Sequence, residues 1–124
     1  MGYRQTRIRA NLEIRAQVVQ AVRRFFDANG YLEVETPVRI AAPAPEAHIQ
    51  ALPSAEAYLQ TSPELFMKRL LASGYPKIFQ ICKSFRRGER GRRHVPELTM
   101  LEWYEANQDY RYLMKQCRRL IQFV

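Results

Sequence analysis

The sequence predicts an α+β fold in which helices flank an antiparallel sheet. Apolar residues recur at helical spacing in two stretches, residues 8–29 and 110–124. Residues 78–85 and 98–104 alternate in polarity and are joined by a long basic loop, which indicates an antiparallel hairpin. At 124 residues, 47% of them hydrophobic, the chain is long enough for one core, so we expect a single domain over residues 1–124.

The first predicted helix covers residues 8–29 and ends at Gly30, a residue type typical of helix C-termini. A short strand over residues 31–35 follows. We expect it to stop before Pro37, because proline has no N–H to donate to a central strand. Residues 40–47 are rich in alanine and proline and predict a mobile loop.

Two short strands are predicted at residues 48–52 and 57–61, with Pro53-Ser54 as the turn between them. The segment Ser62-Pro63-Glu64 predicts the start of the next helix. Serine is a good N-cap, proline fits the first helical position, and a carboxylate is favoured near the positive end of the helix dipole. This helix is expected to end at Gly74.

The hairpin concentrates charge of both signs at one end. Arg86 ends its first strand and residues 87–94 add further basic side chains, while alternation puts Glu102 and Tyr104 on one face of its second strand. Such a site suits a substrate with phosphate groups and an ammonium group. Two alternatives remain open: a solvated, salt-bridged edge, or a loop that binds RNA phosphates. The last helix is predicted to be capped by Asp109.

Composition limits the function classes. The net charge of +8, mostly from arginine, favours polyanionic partners such as nucleic acid or nucleotide phosphates. No stretch has the roughly 20 apolar residues of a membrane span, and the basic start has no secretory signal. Cys82 and Cys117 lie in apolar patterns, which suits reduced thiols in the cytoplasm, and no metal-ligand cluster is visible.

Three segments carry a resemblance to a known family. Residues 78–106, IFQICKSFRRGERGRRHVPELTMLEWYEA, are similar to motif 2 of the class II aminoacyl-tRNA synthetases. Residues 14–39, IRAQVVQAVRRFFDANGYLEVETPVR, resemble motif 1, and residues 58–74, YLQTSPELFMKRLLASG, resemble the TSPE segment. The residues of these segments resemble the form of the motifs found in lysyl-tRNA synthetases and in their shorter paralogue, the ligase that attaches β-lysine to elongation factor P. The resemblance implies part of that family's antiparallel sheet flanked by helices.

The resemblance implies an ATP site. Arg86 would contact the α-phosphate and the substrate carboxylate during adenylate formation, and His94 with loop arginines would meet the outer phosphates. Mg²⁺ would accompany ATP. The family's adenine-binding glutamate is Gly88 here, with Glu89 displaced by one, and its stacking aromatic is Leu98, which keeps an apolar contact. The family's asparagine after the histidine is Val95.

The resemblance also implies an amino-acid site and a dimer. Glu64 would receive the α-ammonium of the substrate, and Glu102 with Tyr104 would face the ε-ammonium, selecting lysine or β-lysine. Motif 1, with Pro37, would form a homodimer interface. The sequence ends before the family's motif 3, and only about ten basic residues precede motif 1, so we expect a portion of a catalytic domain without an anticodon-binding barrel.

The implied activity is that of a ligase. It would activate lysine or β-lysine with ATP to an aminoacyl-adenylate and transfer it to elongation factor P. One alternative is a lysyl-tRNA synthetase fragment that charges tRNA. Another is a non-catalytic module that dimerises or binds RNA, which the missing motif 3 and the residues Gly88 and Leu98 favour.

Overall fold

The structure is a computed structural model that describes residues 4–124. Its four helices and six strands follow one another along the chain in this order: α1 (Arg4–Arg7), α2 (Arg9–Ala28), β1 (Leu32–Glu33), β2 (Arg39–Ile40), β3 (Leu52–Ser54), β4 (Ala57–Leu59), α3 (Glu64–Ala72), β5 (Lys77–Phe85), β6 (Glu97–Glu105) and α4 (Tyr110–Phe123). The predicted α+β fold is confirmed. Among the described residues, no helix combines the length and the apolar character that a membrane crossing requires.

The chain divides into two compact units. The helical unit contains α1, α2 and α4, and the β unit comprises residues 32–106. Each unit has its own buried residues. That the whole chain behaves as a single domain stays a prediction.

The helical unit is built on an aromatic cluster. Phe25 and Phe26 of α2 are buried, and their rings meet edge to face with centroids 5.3 Å apart. Tyr31 stacks edge-on against Phe26 at 5.0 Å, and Phe123 of α4 lies 5.7 Å from Phe25. Such aromatic pairs add stability beyond the area that they bury. The C-terminal half of α2 is therefore the part that anchors this unit.

The ends of α4 and α2 follow the expected capping chemistry. The Asp109 side chain accepts a hydrogen bond of 2.9 Å from the Tyr112 N–H, which confirms it as the N-cap of α4. Gly30, just beyond α2, has a φ of 76°, which confirms it as the residue that ends the helix. The N-terminal apolar residues of α2 are exposed, Leu12 at 53% and Ile14 at 58%.

The β unit contains two three-stranded sheets. In the first, β5 is central, pairing parallel with β1 and antiparallel with β6. In the second, β4 is central between β2 and β3, and both pairings are antiparallel. The sequence predicted only antiparallel pairing, so the parallel pairing of β1 with β5 was not predicted. The core residues Met67, Ile78 and Phe79 have between 0% and 2% of their surface exposed.

The predicted strands at residues 31–35, 48–52 and 57–61 all had wrong boundaries, and the last of them ends at Leu59. Only Leu32–Glu33 of residues 31–35 form a strand, because the Tyr31 N–H is bonded to the Phe26 carbonyl as part of the turn after α2. The prediction for residues 48–52 fails except at Leu52, and Pro53-Ser54 belongs to β3. Proline is tolerated there because β3 lies at the edge of its sheet. The turn falls one step later, where Ala55 adopts a positive φ of 52°.

The TSPE segment forms the predicted helix start with a shift of one residue. The helix α3 begins at Glu64, and Pro63 occupies the position before it. The N-cap is Pro63 and not the predicted Ser62, although the Ser62 hydroxyl accepts a hydrogen bond of 3.1 Å from the Glu64 N–H. The helix ends at the predicted place, with Gly74 at a φ of 95°.

Candidate active site

One face of the β5–β6 hairpin carries most of the predicted site. Directly opposed residues of antiparallel strands have their side chains on the same face. The register pairs Gln80 with Glu102, Ser84 with Leu98, and Cys82 with Met100. The pairing continues past the strand ends, where the Arg86 N–H bonds to the Pro96 carbonyl at 2.9 Å. The hairpin therefore places Glu102 and Arg86 along one strip of sheet.

Glu102 and Tyr104 form a direct pair on this strip. The Tyr104 hydroxyl donates a hydrogen bond of 2.7 Å to Oε1 of Glu102, and both side chains are half-buried. Burial raises the pKa of Glu102, and the nearby Glu64 charge adds to the rise, while hydrogen bonds from Tyr104 and Ser62 lower it. The pKa of Tyr104 is raised by burial and by its bond to Glu102, so the phenol stays protonated. The Glu102 carboxylate of this pair could therefore be stabilised further by a positively charged group.

Glu64 and Lys68 lie beside this pair. Lys68 Nζ contacts Glu64 Oε1 one helical turn away, in an ion pair whose side chains are 55% and 37% exposed. The charge of Glu64 raises the pKa of Glu102 and that of Lys68 lowers it, which shows that all three groups share one electrostatic environment. The structure thus brings together Glu64, Glu102 and Tyr104, and their roles in binding ammonium groups stay a prediction.

Arg86 is linked to the same region through the TSPE segment. Its Nε donates a hydrogen bond of 3.4 Å to the carbonyl of Thr61, and the side chain is half-buried. Thr61 precedes Ser62, whose hydroxyl contributes to the hydrogen bonding of Glu102. A guanidinium in this position can offer its remaining N–H groups to a phosphate or a carboxylate.

The hairpin loop holds the remaining predicted ATP contacts. His94 is exposed, Glu89 is half-buried, and the loop is closed by a bond of 3.1 Å from the Gly91 N–H to the His94 carbonyl. Gly88 has a φ of 77°, a left-handed conformation that a glutamate would adopt only with strain. Leu98 is half-buried at the start of β6. The structure does not bring His94 or Glu89 to the Glu102 carboxylate.

Pro37, predicted at a dimer interface, is exposed in the segment between β1 and β2. No group of three or more histidine, cysteine, aspartate or glutamate side chains suited to a metal ion occurs within residues 4–124.

Sequence reasoning missed a buried polar layer next to this site. Gln60, Gln80 and Ser84 are each at most 1% exposed, and Thr36 and Thr61 are also buried. Their signal in the sequence was weak, because glutamine is usually a surface residue. For Gln80, strand alternation was the available clue, because Gln80 lies an even number of residues before Arg86, which directly follows β5.

Comparisons with known proteins identify the family of the chain. A family model described as tRNA synthetases class II (D, K and N) matches residues 1–124. The chain is 47% identical over 93% of its length to the elongation factor P (R)-β-lysine ligase of Pectobacterium atrosepticum, with 38% of that protein covered. Proteins of the same name from Sodalis glossinidius and Pseudoalteromonas translucida are 46% and 42% identical over 91% and 93% of the chain. The chain spans 38% and 39% of these two relatives, less than half of their length.

Proposed function

Because the chain belongs to the class II tRNA synthetases (D, K and N), we propose that it is part of an ATP-dependent ligase that activates (R)-β-lysine or lysine. The activated product is an aminoacyl-adenylate, and the acceptor is elongation factor P. The protein acts as a homodimer in the cytoplasm. The name shared by the similar proteins supports this choice of substrate and acceptor.

The observation that carries the proposal is the Glu102–Tyr104 pair with Glu64 beside it. Burial removes water from the Glu102 carboxylate and raises its pKa. A cationic partner such as an ammonium replaces the stabilisation that this water would give to the ionised form. A diamino acid supplies two ammonium groups, one for Glu102 and one for Glu64. This charge pattern favours lysine and its isomer over neutral amino acids.

Arg86 performs the second task of the site. In the activation step a carboxylate oxygen of the amino acid attacks the α-phosphorus of ATP, and pyrophosphate leaves with the electron pair of the broken P–O bond. The guanidinium stabilises the negative charge that builds up on the phosphoryl oxygens. The carbonyl of Thr61 orients the Arg86 side chain for this role. His94, Glu89 and Leu98 complete the nucleotide contacts, and Mg²⁺ enters with the ATP phosphates.

The test is exchange of labelled pyrophosphate into ATP, measured with (R)-β-lysine, lysine, ornithine and norleucine. We expect exchange with the lysine isomers, little with norleucine because it has no second ammonium, and a loss of at least about 100-fold in Arg86→Ala. Arg111→Ala is the control, since Arg111 is an exposed arginine of α4 in the helical unit. Equal exchange in the two variants would contradict the role of Arg86. Absence of exchange with folded protein that binds lysine would show that activation needs residues beyond this chain.

The acceptor is tested separately. Protein preloaded with labelled β-lysine and ATP is offered elongation factor P or tRNA, and the label is followed in each. We expect label on the protein acceptor. Label on tRNA would favour the lysyl-tRNA synthetase alternative.

A second candidate function, RNA binding, is favoured by the exposed arginines of the hairpin loop. Arg87, Arg90, Arg92 and Arg93 are all exposed. RNA held through about six phosphates would lose affinity steeply with salt. Lysine binding at Glu102 should change far less over the same range of salt.

A further inference from the structure

Two buried glutamines next to the candidate site each have one side-chain atom without a hydrogen-bond partner. Gln60 is 0% exposed and Gln80 is 1% exposed. Within the described residues, Gln60 Oε1 and Gln80 Nε2 make no hydrogen bond. One of these atoms is an acceptor and the other is a donor. Buried polar atoms are nearly always paired, so such a complementary pair points to a missing partner.

The orientation of each amide is fixed by the other end of its side chain. The Thr36 hydroxyl donates to Gln80 Oε1 at 3.1 Å, which leaves Nε2 as the free donor. Gln60 Nε2 donates to the carbonyl of Lys83 at 2.8 Å, which leaves Oε1 as the free acceptor. The Gln60 backbone is also anchored, because its carbonyl accepts from the Phe85 N–H at 2.9 Å. Neither amide can flip without breaking a bond.

Gln80 belongs to the strip of sheet that carries Glu102, and Gln60 lies against β5, where it bonds to the backbone of Lys83 and Phe85. Gln80 is directly opposite Glu102, and Cys82 is the next residue of β5 on the same face. The amides of Gln60 and Gln80 lie near the Cys82 thiol, and together with Ser84 they lower its pKa. Burial nevertheless raises that pKa overall, and the charge of Glu102 adds to the rise. The thiol, the two amides and the carboxylate are therefore neighbours.

We propose that Gln60, Gln80 and Cys82 form a polar subsite beside Glu102, which holds one hydroxyl-sized group in the floor of the substrate pocket. In the free protein this group is water. Water can accept from Gln80 Nε2 and donate to Gln60 Oε1 at once, and buried waters typically have two to four such partners. A metal ion does not suit the subsite, because an amide N–H points into it.

The subsite has a chemical consequence for the pocket. Cys82 lies between the ammonium-binding end at Glu102 and the phosphate-binding end at Arg86, so a bound diamino acid passes over the thiol. This part of the inference rests on the proposed function, since it takes lysine as the ligand of Glu102. Occupancy of the pocket should then shield Cys82 from a small alkylating reagent.

The first test measures alkylation of Cys82 by iodoacetamide, in which the thiolate displaces iodide, with peptide mass spectrometry as the readout. We expect saturating lysine to slow the reaction at Cys82 at least five-fold, while norleucine does not. Cys117, in the helical unit, is an internal control whose rate should not change. Lysine binding is measured in parallel by calorimetry. Binding without protection of Cys82 overturns the subsite, whereas no binding at all overturns the proposed function instead.

The second test is a high-resolution crystal structure of the protein. A water within hydrogen-bond distance of Gln60 Oε1 and Gln80 Nε2 is the expected result. A direct bond between the two amides, or an empty space, would overturn the proposal. The variant Gln80→Met keeps the shape of the side chain and removes the donor, so the water should be lost from its structure. Persistence of the water in a folded Gln80→Met protein would contradict the assignment of Gln80.

Discussion

The surroundings of Glu102 disfavour its ionised form, because the carboxylate is half-buried. Burial raises its pKa, and the hydrogen bond from Tyr104 lowers it again in part. If an ammonium binds to the ionised carboxylate, affinity must fall as the pH drops through this raised pKa. Removing the Tyr104 hydroxyl removes a stabilising bond to the ionised form, so the pKa of Glu102 rises further.

We therefore expect Tyr104→Phe to move the midpoint of this loss of lysine affinity to higher pH. Calorimetric titrations with lysine between pH 4 and pH 8 measure the midpoint. Tyr75→Phe, at an exposed tyrosine, is the control and should leave it unchanged. A Tyr104→Phe protein with the wild-type midpoint would show that the phenol does not act on Glu102.

Glu102 affects stability and lysine affinity in opposite directions as the pH changes. Its folded-state pKa lies above the unfolded value, so the folded protein holds the proton more tightly. Its contribution to the free energy of unfolding is thus greatest below the unfolded pKa and is lost as the pH rises through the folded pKa. We expect Glu102→Gln to raise Tm at pH 8 and to weaken lysine binding by about 2 kcal/mol or more, roughly 30-fold. Glu97→Gln, in an exposed ion pair with Lys83, should change both quantities little. A lower Tm in Glu102→Gln would contradict the sign of this argument.

Gly88 shows how backbone geometry limits the chemistry of the loop. A Cβ at Gly88 would meet nothing within 4 Å, so steric room is not the constraint, whereas its φ of 77° is unfavourable for other residues. We expect Gly88→Ala to lower the free energy of unfolding by about 1 kcal/mol. Gly91→Ala is the matched control, because Gly91 also has open space but no positive φ, and it should be neutral or slightly stabilising. Equal effects in urea titrations of the two variants would remove the conformational explanation for Gly88.

At the scale of elements, α4 depends on its N-cap residue, Asp109. Asp109 is extended, with a ψ of 177°, and its carboxylate accepts from the Tyr112 N–H. We expect Asp109→Ala to destabilise the protein by about 1 kcal/mol and Asp109→Ser to restore most of the loss, since serine also caps well. Thermal unfolding followed by circular dichroism measures both. Failure of serine to restore stability would point to a role for the charge instead of the cap.

The elements also show what the sequence can and cannot predict. The hairpin was predictable because alternation over two long strands fixes both register and face, which put Glu102 beside Tyr104 and on the side of Arg86. The β3–β4 turn was not, because Ala55 in a positive φ has no sequence signal and Pro53-Ser54 looks like a turn. Gln60 and Gln80 were missed because their burial depends on partners distant in the chain.

For the whole molecule, the two compact units differ in how the chain builds them. The helical unit joins residues near both ends of the described chain, with Gln116 of α4 donating to the Tyr31 hydroxyl. The β unit is one continuous segment, residues 32–106. Its long hairpin is local in sequence, so the hairpin can form before the more distant strand pairings of this unit.

The parallel pairing of β1 with β5 sets the order in which the β unit can assemble. The hairpin β5–β6 closes one loop, whereas Leu32 must find Ile78 across an intervening sheet and helix. Closing longer loops is entropically more costly, so non-local pairings form late. We expect pulse-labelling hydrogen exchange during refolding to protect the amides of β5 and β6 before the Val34 N–H, which bonds to the Phe79 carbonyl. Earlier protection of Val34 would reverse this order. In the expected order, β1 docks on β5 only after the hairpin has formed, so the Thr36 hydroxyl that orients Gln80 reaches its place late in folding.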